Sequence, residues 1–225
     1  MKKIKSLVLL AFLLFTSSGC GDDYIDSVKE GIFPRYSNSV TVGNALEYWA
    51  KQQKCDSTKW EKIITERKEI VVSFSCVIEK DSYPIEREIE SFNSKYTKKM
   101  ASYEETIKDN KKRIQENLNN PNISENYLIS LNSSILTTEK EMNSLKVEKE
   151  LFFESIQQFD KLEYLFQFLV AADGESFNIG FVGTEFHYLD GKSYSIRAPY
   201  NLLLEVYRGR VVFSELSSYF YENRG

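Results

Sequence analysis

The chain predicts an α+β fold: a small four-stranded antiparallel sheet packed by a helix, with a long antiparallel α-helical hairpin inserted at the tip of a β-hairpin. Three observations predict it. Residues 84–159 are seventy-six glycine-free, strongly charged positions carrying apolar residues at helical spacing. Stretches with the period of two stand on both sides of that block, 69–79 before it and 162–170 after it. Two cysteines, Cys55 and Cys76, fall just past one predicted helix and inside one predicted strand.

Taken in order, the chain opens with MKKIKSLVLLAFLLFTSSGC: basic Lys2, Lys3 and Lys5, an apolar run from Leu7 to Phe15, then small residues. That is the pattern of a secretory signal over residues 1–19, too short to span a bilayer. Ser17-Ser18-Gly19-Cys20 resembles the lipobox of bacterial lipoproteins, with Ser17 where that family usually has leucine. The resemblance implies cleavage before Cys20, acylation of its sulfur, and a lipid bilayer as the first partner. An ordinary signal cut nearby would instead leave Cys20 as a free thiol. In lipoproteins an aspartate directly after the cysteine favours the inner membrane. Here Gly21 precedes Asp22 and Asp23, which points to the outer membrane of a bacterial envelope, facing the periplasm.

Losing residues 1–19 removes three lysines and no acid, so the formal net charge moves from −4 to −7. An acidic chain argues against nucleic acid, which needs clustered Lys and Arg. Export leaves Cys55 and Cys76 in an oxidising compartment, where a disulfide is expected. Closing that loop would stabilise the fold by roughly 3 kcal/mol. A metal site is the competing reading, but His187 is the only histidine, so the preferred ligands are lacking and no cofactor is expected.

Residues 20–40, polar with Gly31 and Pro34, read as a lipidated N-terminus and tether. The core domain is expected over 41–81 and 160–225. Thr41 caps a helix whose Val42, Ala45, Leu46, Trp49 and Ala50 form one stripe. Strands follow at 59–65 and 69–79; in the second, Ile70, Val72, Phe74, Cys76 and Ile78 share a face, so Cys76 points to the core.

From Ser82 the period becomes helical, opening the insertion over 82–159. Ile85, Ile89, Phe92, Tyr96, Met100, Tyr103, Ile107, Ile114 and Leu118 make the first stripe, spaced nearer to eleven than to seven, so little left-handed supercoil is expected in this arm. Asn119-Asn120-Pro121-Asn122 breaks it, and Asn122 with Glu125 reads as a capping pair. The return arm carries Leu128, Leu131, Ile135, Met142, Leu145, Phe152, Ile156 and Phe159 on a heptad seam interrupted at Thr138 and Lys149. Arms of about 36 residues make a rod of roughly 54 Å. Strands at 162–170 and from Phe177 onward meet at an Asp173-Gly174 turn, and Gly183 is expected to bend the second where the large residues change parity. Asp190-Gly191 ends that strand. Pro199 begins a short helix closed by Gly209, and residues 211–225 read as a last packed segment, strand or helix.

Outside the hairpin the chain resembles a group of small uncharacterised bacterial envelope lipoproteins. The residues that carry this are Val28-Lys29 with Gly31, Thr41-Val42-Gly43 with Ala45-Leu46 and Trp49, then Cys55, Lys59-Trp60, Val71-Val72, Phe74 and Cys76. Tyr164 to Phe168, and Phe177 to Asp190-Gly191-Lys192, also look like that group. The resemblance implies a compact helix-on-sheet domain and no known activity, and it does not extend to the hairpin.

The chain contains no Gly-x-Ser-x-Gly, His-Glu-x-x-His, Walker or dinucleotide motif. Asp190, the most catalytic-looking acid near His187, sits in an Asp-Gly turn and is explained by turn chemistry. Glu86, Glu88, Glu90, Glu104 and Glu105 read as exposed helix acids. No catalytic residue is assigned and the chain is not read as an enzyme. Fourteen tyrosines and fifteen phenylalanines exceed what a small sheet needs, which leaves some for a binding surface. The expected function is a membrane-anchored interaction or scaffold lipoprotein that meets a protein partner in the envelope through its hairpin. The alternative is an inhibitor or immunity-type lipoprotein whose α+β domain blocks a hydrolase or toxin.

Overall fold

The computed structural model describes residues 23–198 and 201–212. The signal segment 1–19, Cys20, Pro199 and the tail from 213 onward lie outside the described residues. The fold is α+β. Its helices are α1 (Asp23–Glu30), α2 (Val42–Gln53), α3 (Ile85–Asn117), α4 (Glu125–Gln158) and α5 (Asn201–Tyr207). Its strands are β1 (Ser57–Ile64), β2 (Ile70–Glu79), β3 (Phe159–Val170), β4 (Phe177–Tyr188) and β5 (Ser193–Arg197). They form one sheet in sequence order, every neighbour antiparallel.

Among the described residues the sheet has five strands, not four: β5 is only five residues of SYSIR, a half-exposed alternation with no large apolar run, held to β4 through the Asp190-Gly191 turn. The expected tether is shorter than 20–40, because residues 23–30 form α1 and Val28 is fully buried. A Cβ on Gly43 would lie 3.0 Å from the Lys29 carbonyl oxygen, so the glycine lets α1 and α2 pack closely.

The core lies on one face of the sheet beneath α1, α2 and α5. It contains Val72, Phe74 and Cys76 from β2 and Leu162, Tyr164, Phe166 and Phe168 from β3. As expected, Thr41 caps α2, its hydroxyl accepting from the Asn44 amide at 3.3 Å. Trp49 packs edge-on against Tyr164 and Phe166, and its indole N–H donates to the Arg210 carbonyl at 3.0 Å. Burying side chains of this size stabilises by roughly 1.5–3 kcal/mol each. Cys55, just past the end of α2, is bonded to Cys76, with Cα atoms 5.5 Å apart. The end of the helix is thus covalently pinned to β2.

The irregularity in β4 sits at Gly180, not Gly183. Gln167 pairs with Phe181 and Phe168 with Ile179, so Gly180 is the extra residue. Phe177 and Ile179 face the core before it and Val182 and Phe186 after it. Phe181 is thereby sent to the other face, where its ring crosses Gly183: a Cβ there would lie 2.4 Å from Phe181 Cζ.

The hairpin leaves the sheet between β2 and β3, whose ends are paired at Glu79 and Lys161. Helices of 33 and 34 residues make a rod of about 50 Å. Its tip turn is capped by Ser124, whose hydroxyl accepts from the Tyr127 amide at 3.3 Å, not by Asn122. Asn122 is engaged in the tip itself, its amide donating to Asn120 Oδ1.

Candidate functional site

The rod is fixed at its base by groups that the fold brings together there. Asp56, next to the disulfide, accepts from the Glu79 amide at 2.8 Å and the Ser82 hydroxyl at 2.7 Å, which holds the short turn entering α3. Lys80 Nζ donates to the Gln157 carbonyl at 3.0 Å and the Leu189 amide to the Gln158 carbonyl at 2.8 Å, tying down the end of α4. Tyr83 packs against Phe159, the rings tilted at 49° with centroids 4.8 Å apart. Above them Phe92 and Phe152, both fully buried, lie parallel at 4.0 Å and 5°. These rings belong to the same apolar cluster as the sheet core, so core packing runs unbroken into the first turns of the rod.

Farther out the seam keeps buried Leu131, Ile135 and Leu145 but also encloses polar groups. Buried Asn110 donates to Ser134 Oγ at 3.1 Å, and buried Thr138 bonds the Ser134 carbonyl at 2.8 Å. Asn110 lies eighteen residues beyond Phe92 on α3, and Ser134 eighteen before Phe152 on α4, so the two arms keep one register. Lys149, a break in the predicted seam, caps the Tyr96 ring at 4.7 Å. Glu88, expected among the exposed acids, is buried and accepts from the Tyr83 hydroxyl at 3.0 Å. Nothing in its spacing singles it out; only its position in the first turn beside a tyrosine does.

The two arms differ sharply on their outer sides. Among the described residues α3 exposes no large apolar side chain, whereas α4 exposes Ile129 (57 %), Leu136 (67 %), Val147 (54 %) and Leu151 (48 %). At 3.6 residues per turn these four fall within about 40–60° of one another, on the side of α4 opposite the seam. The distal part of that helix, Asn126 to Thr138, has no charged residue in thirteen positions. The facing part of α3 carries Lys108, Asp109, Lys111, Lys112, Arg113 and Glu116. The heptad reading of the sequence found the seam and missed this second stripe; its signal was the charge-free run together with apolar residues recurring after seven, eleven and four positions.

A second feature is the sheet face opposite the core, over which no helix packs among the described residues. His187 donates from Nε2 to Glu163 at 3.2 Å, and the Ser75 hydroxyl bonds the same carboxylate. The histidine bond is the largest influence on Glu163 and holds its carboxyl below the usual range, against the opposing effect of burial. The glutamate stands between serine and histidine here. Activation of a serine nucleophile needs the histidine in the middle, so this arrangement does not prepare Ser75 for attack. Asp190 is not part of it: it bonds the Lys192 amide and ammonium within its own turn.

Among the described residues no helix is long and apolar enough to cross a membrane. Comparison of the chain with known protein families, curated proteins and solved structures gives no match.

Proposed function

We propose that the chain is a membrane-anchored bacterial envelope lipoprotein that works as a protein-interaction or scaffold module through its helical hairpin. The observation that carries this is the outer side of α4: an exposed apolar stripe on a rod whose base is continuous with the sheet core. A solvated helix face ordinarily carries charge, and the centres of interfaces are depleted of it. The anchor is acylated Cys20, with the outer membrane favoured by Gly21, and it supplies no chemistry of its own.

Replacing residues 82–160 by a short Asn-Gly turn tests the reading. The shortened protein is expected to keep its disulfide and a cooperative melt while losing capture of envelope proteins from detergent extracts. Capture that survives the deletion refutes the hairpin as the interaction element. That result would favour the second reading, an inhibitor or immunity-type lipoprotein acting through its α+β domain, for which the sheet face carrying Glu163 and His187 offers a surface. For the anchor, Cys20→Ala is expected to move the protein from the membrane to the soluble fraction; unchanged fractionation refutes it.

A further inference from the structure

Resting on the reading of the hairpin as an interaction element, we infer that its occupant is a second copy of this chain. The two α4 outer faces pack antiparallel about a two-fold axis passing between Asn132 and Ser133. An isologous contact presents one surface to itself, so any charge near the axis meets its own copy. The run from Asn126 to Thr138 has none. Ser133 and Asn132 at the axis are exposed and compact enough for close helix approach.

The register follows from what lies on either side. With the axis between Asn132 and Ser133, Ile129 of one copy faces Leu136 of the other, and the reverse, so the two most exposed apolar side chains of α4 cover each other twice. Glu125 then faces Lys140 of the other copy, also twice, and the two lysines stand about 22 Å apart at 1.5 Å per residue. A parallel arrangement instead sets Lys140 against Lys140 and Glu125 against Glu125. Charge therefore selects the antiparallel pairing. The geometry leaves room for it: α4 extends about 38 Å from the axis to its globular base but only about 11 Å to its first residue. Each tip, carrying exposed Leu118, is directed along the stripe toward Val147 and Leu151 of the other copy without reaching its sheet domain.

Sedimentation of the full-length chain in detergent over a concentration series tests this. A reversible dimer is expected. Leu136→Asp places a carboxylate against Ile129 at two equivalent sites and is expected to weaken the dimer at least about 100-fold. Glu125→Lys and Lys140→Glu are each expected to weaken it about tenfold, and combining them in one chain to restore it to within about threefold. In a parallel dimer Lys140→Glu only exchanges one like-charge contact for another and weakens nothing. Circular dichroism checks folding; should Leu136→Asp unfold, exposed Ser133→Arg at the axis takes its place with the same expected loss. A monomer up to about 100 μM, a dimer indifferent to these substitutions, or a double swap no better than the singles overturns the inference. If the chain is monomeric yet shows hairpin-dependent capture of another envelope protein, the interaction reading stands and only the second copy is excluded as occupant.

Discussion

Replacing Phe92 or Phe152 with alanine measures whether the rod and the sheet domain are one cooperative unit. Both rings are fully buried and stacked at 4.0 Å, and Phe153 packs edge-on against each. Truncation of a buried phenylalanine costs about 3–5 kcal/mol in lost transfer energy and cavity. Because the two rings face each other, the double variant is expected to cost less than the two singles combined, with about 0.5–1.5 kcal/mol of coupling from ring geometry. Urea unfolding followed by tryptophan fluorescence, which reports on Trp49 and Trp60 in the domain, and by far-ultraviolet circular dichroism, dominated by the hairpin, gives the two readouts. Both are expected to shift together. If the dichroism midpoint falls while tryptophan fluorescence is unmoved, the continuity of packing across the root is refuted.

Removing the disulfide as Cys55→Ala with Cys76→Ala is expected to cost about 3 kcal/mol for a bridge spanning 21 positions, read as a lower midpoint in urea. Glu163 has a carboxyl pKa below its ordinary 4.5, so the folded state holds fewer protons than the unfolded one there; its contribution is present above that value and is lost as pH falls toward the lowered one. Stability measured from about pH 5 to pH 3 should therefore decline less steeply in Glu163→Gln than in the wild type, and equal slopes would remove the His187 and Ser75 bonds as its cause. Ser124→Ala is expected to cost about 1 kcal/mol at the start of α4, measured by thermal melting, whereas Asn122→Ala should be close to neutral for the cap.

What was legible in the sequence was what repeats locally. The stripe from Ile85 to Leu118, the Thr41 cap and the core-facing alternation through Cys76 need only neighbours a few residues apart, and they located the hairpin, α2 and the bridge. What depended on distant partners was not legible. Gln53, beyond the apolar stripe of α2, is buried, exchanging two bonds with the backbone of Val212 and meeting the Tyr164 hydroxyl. Gly183 looked like the bend because Phe181 shares the parity of Ile179, but the extra residue is Gly180 and the pairing with β3 decides it. Residues 23–30 are too short and polar to announce a helix; α1 exists because Val28 reaches the core and Gly43 admits its backbone. The candidate interaction face on α4 was hidden differently. A strict heptad accounts for one side of a helix, and apolar residues on the other side look like noise until the seam is known.

The placement of the hairpin between adjacent strands also bears on how the chain folds. β2 and β3 are adjacent inner strands of the sheet, yet roughly eighty residues separate Glu79 from its partner Lys161. Closing an unstructured loop of that length costs about 2.7 kcal/mol more than a four-residue turn. Helices form in about a microsecond from contacts close in sequence, and two arms zipped in register deliver their ends side by side. If the arms zip first, the effective loop shortens to the width of a helix pair, and the strands close against ends already brought together.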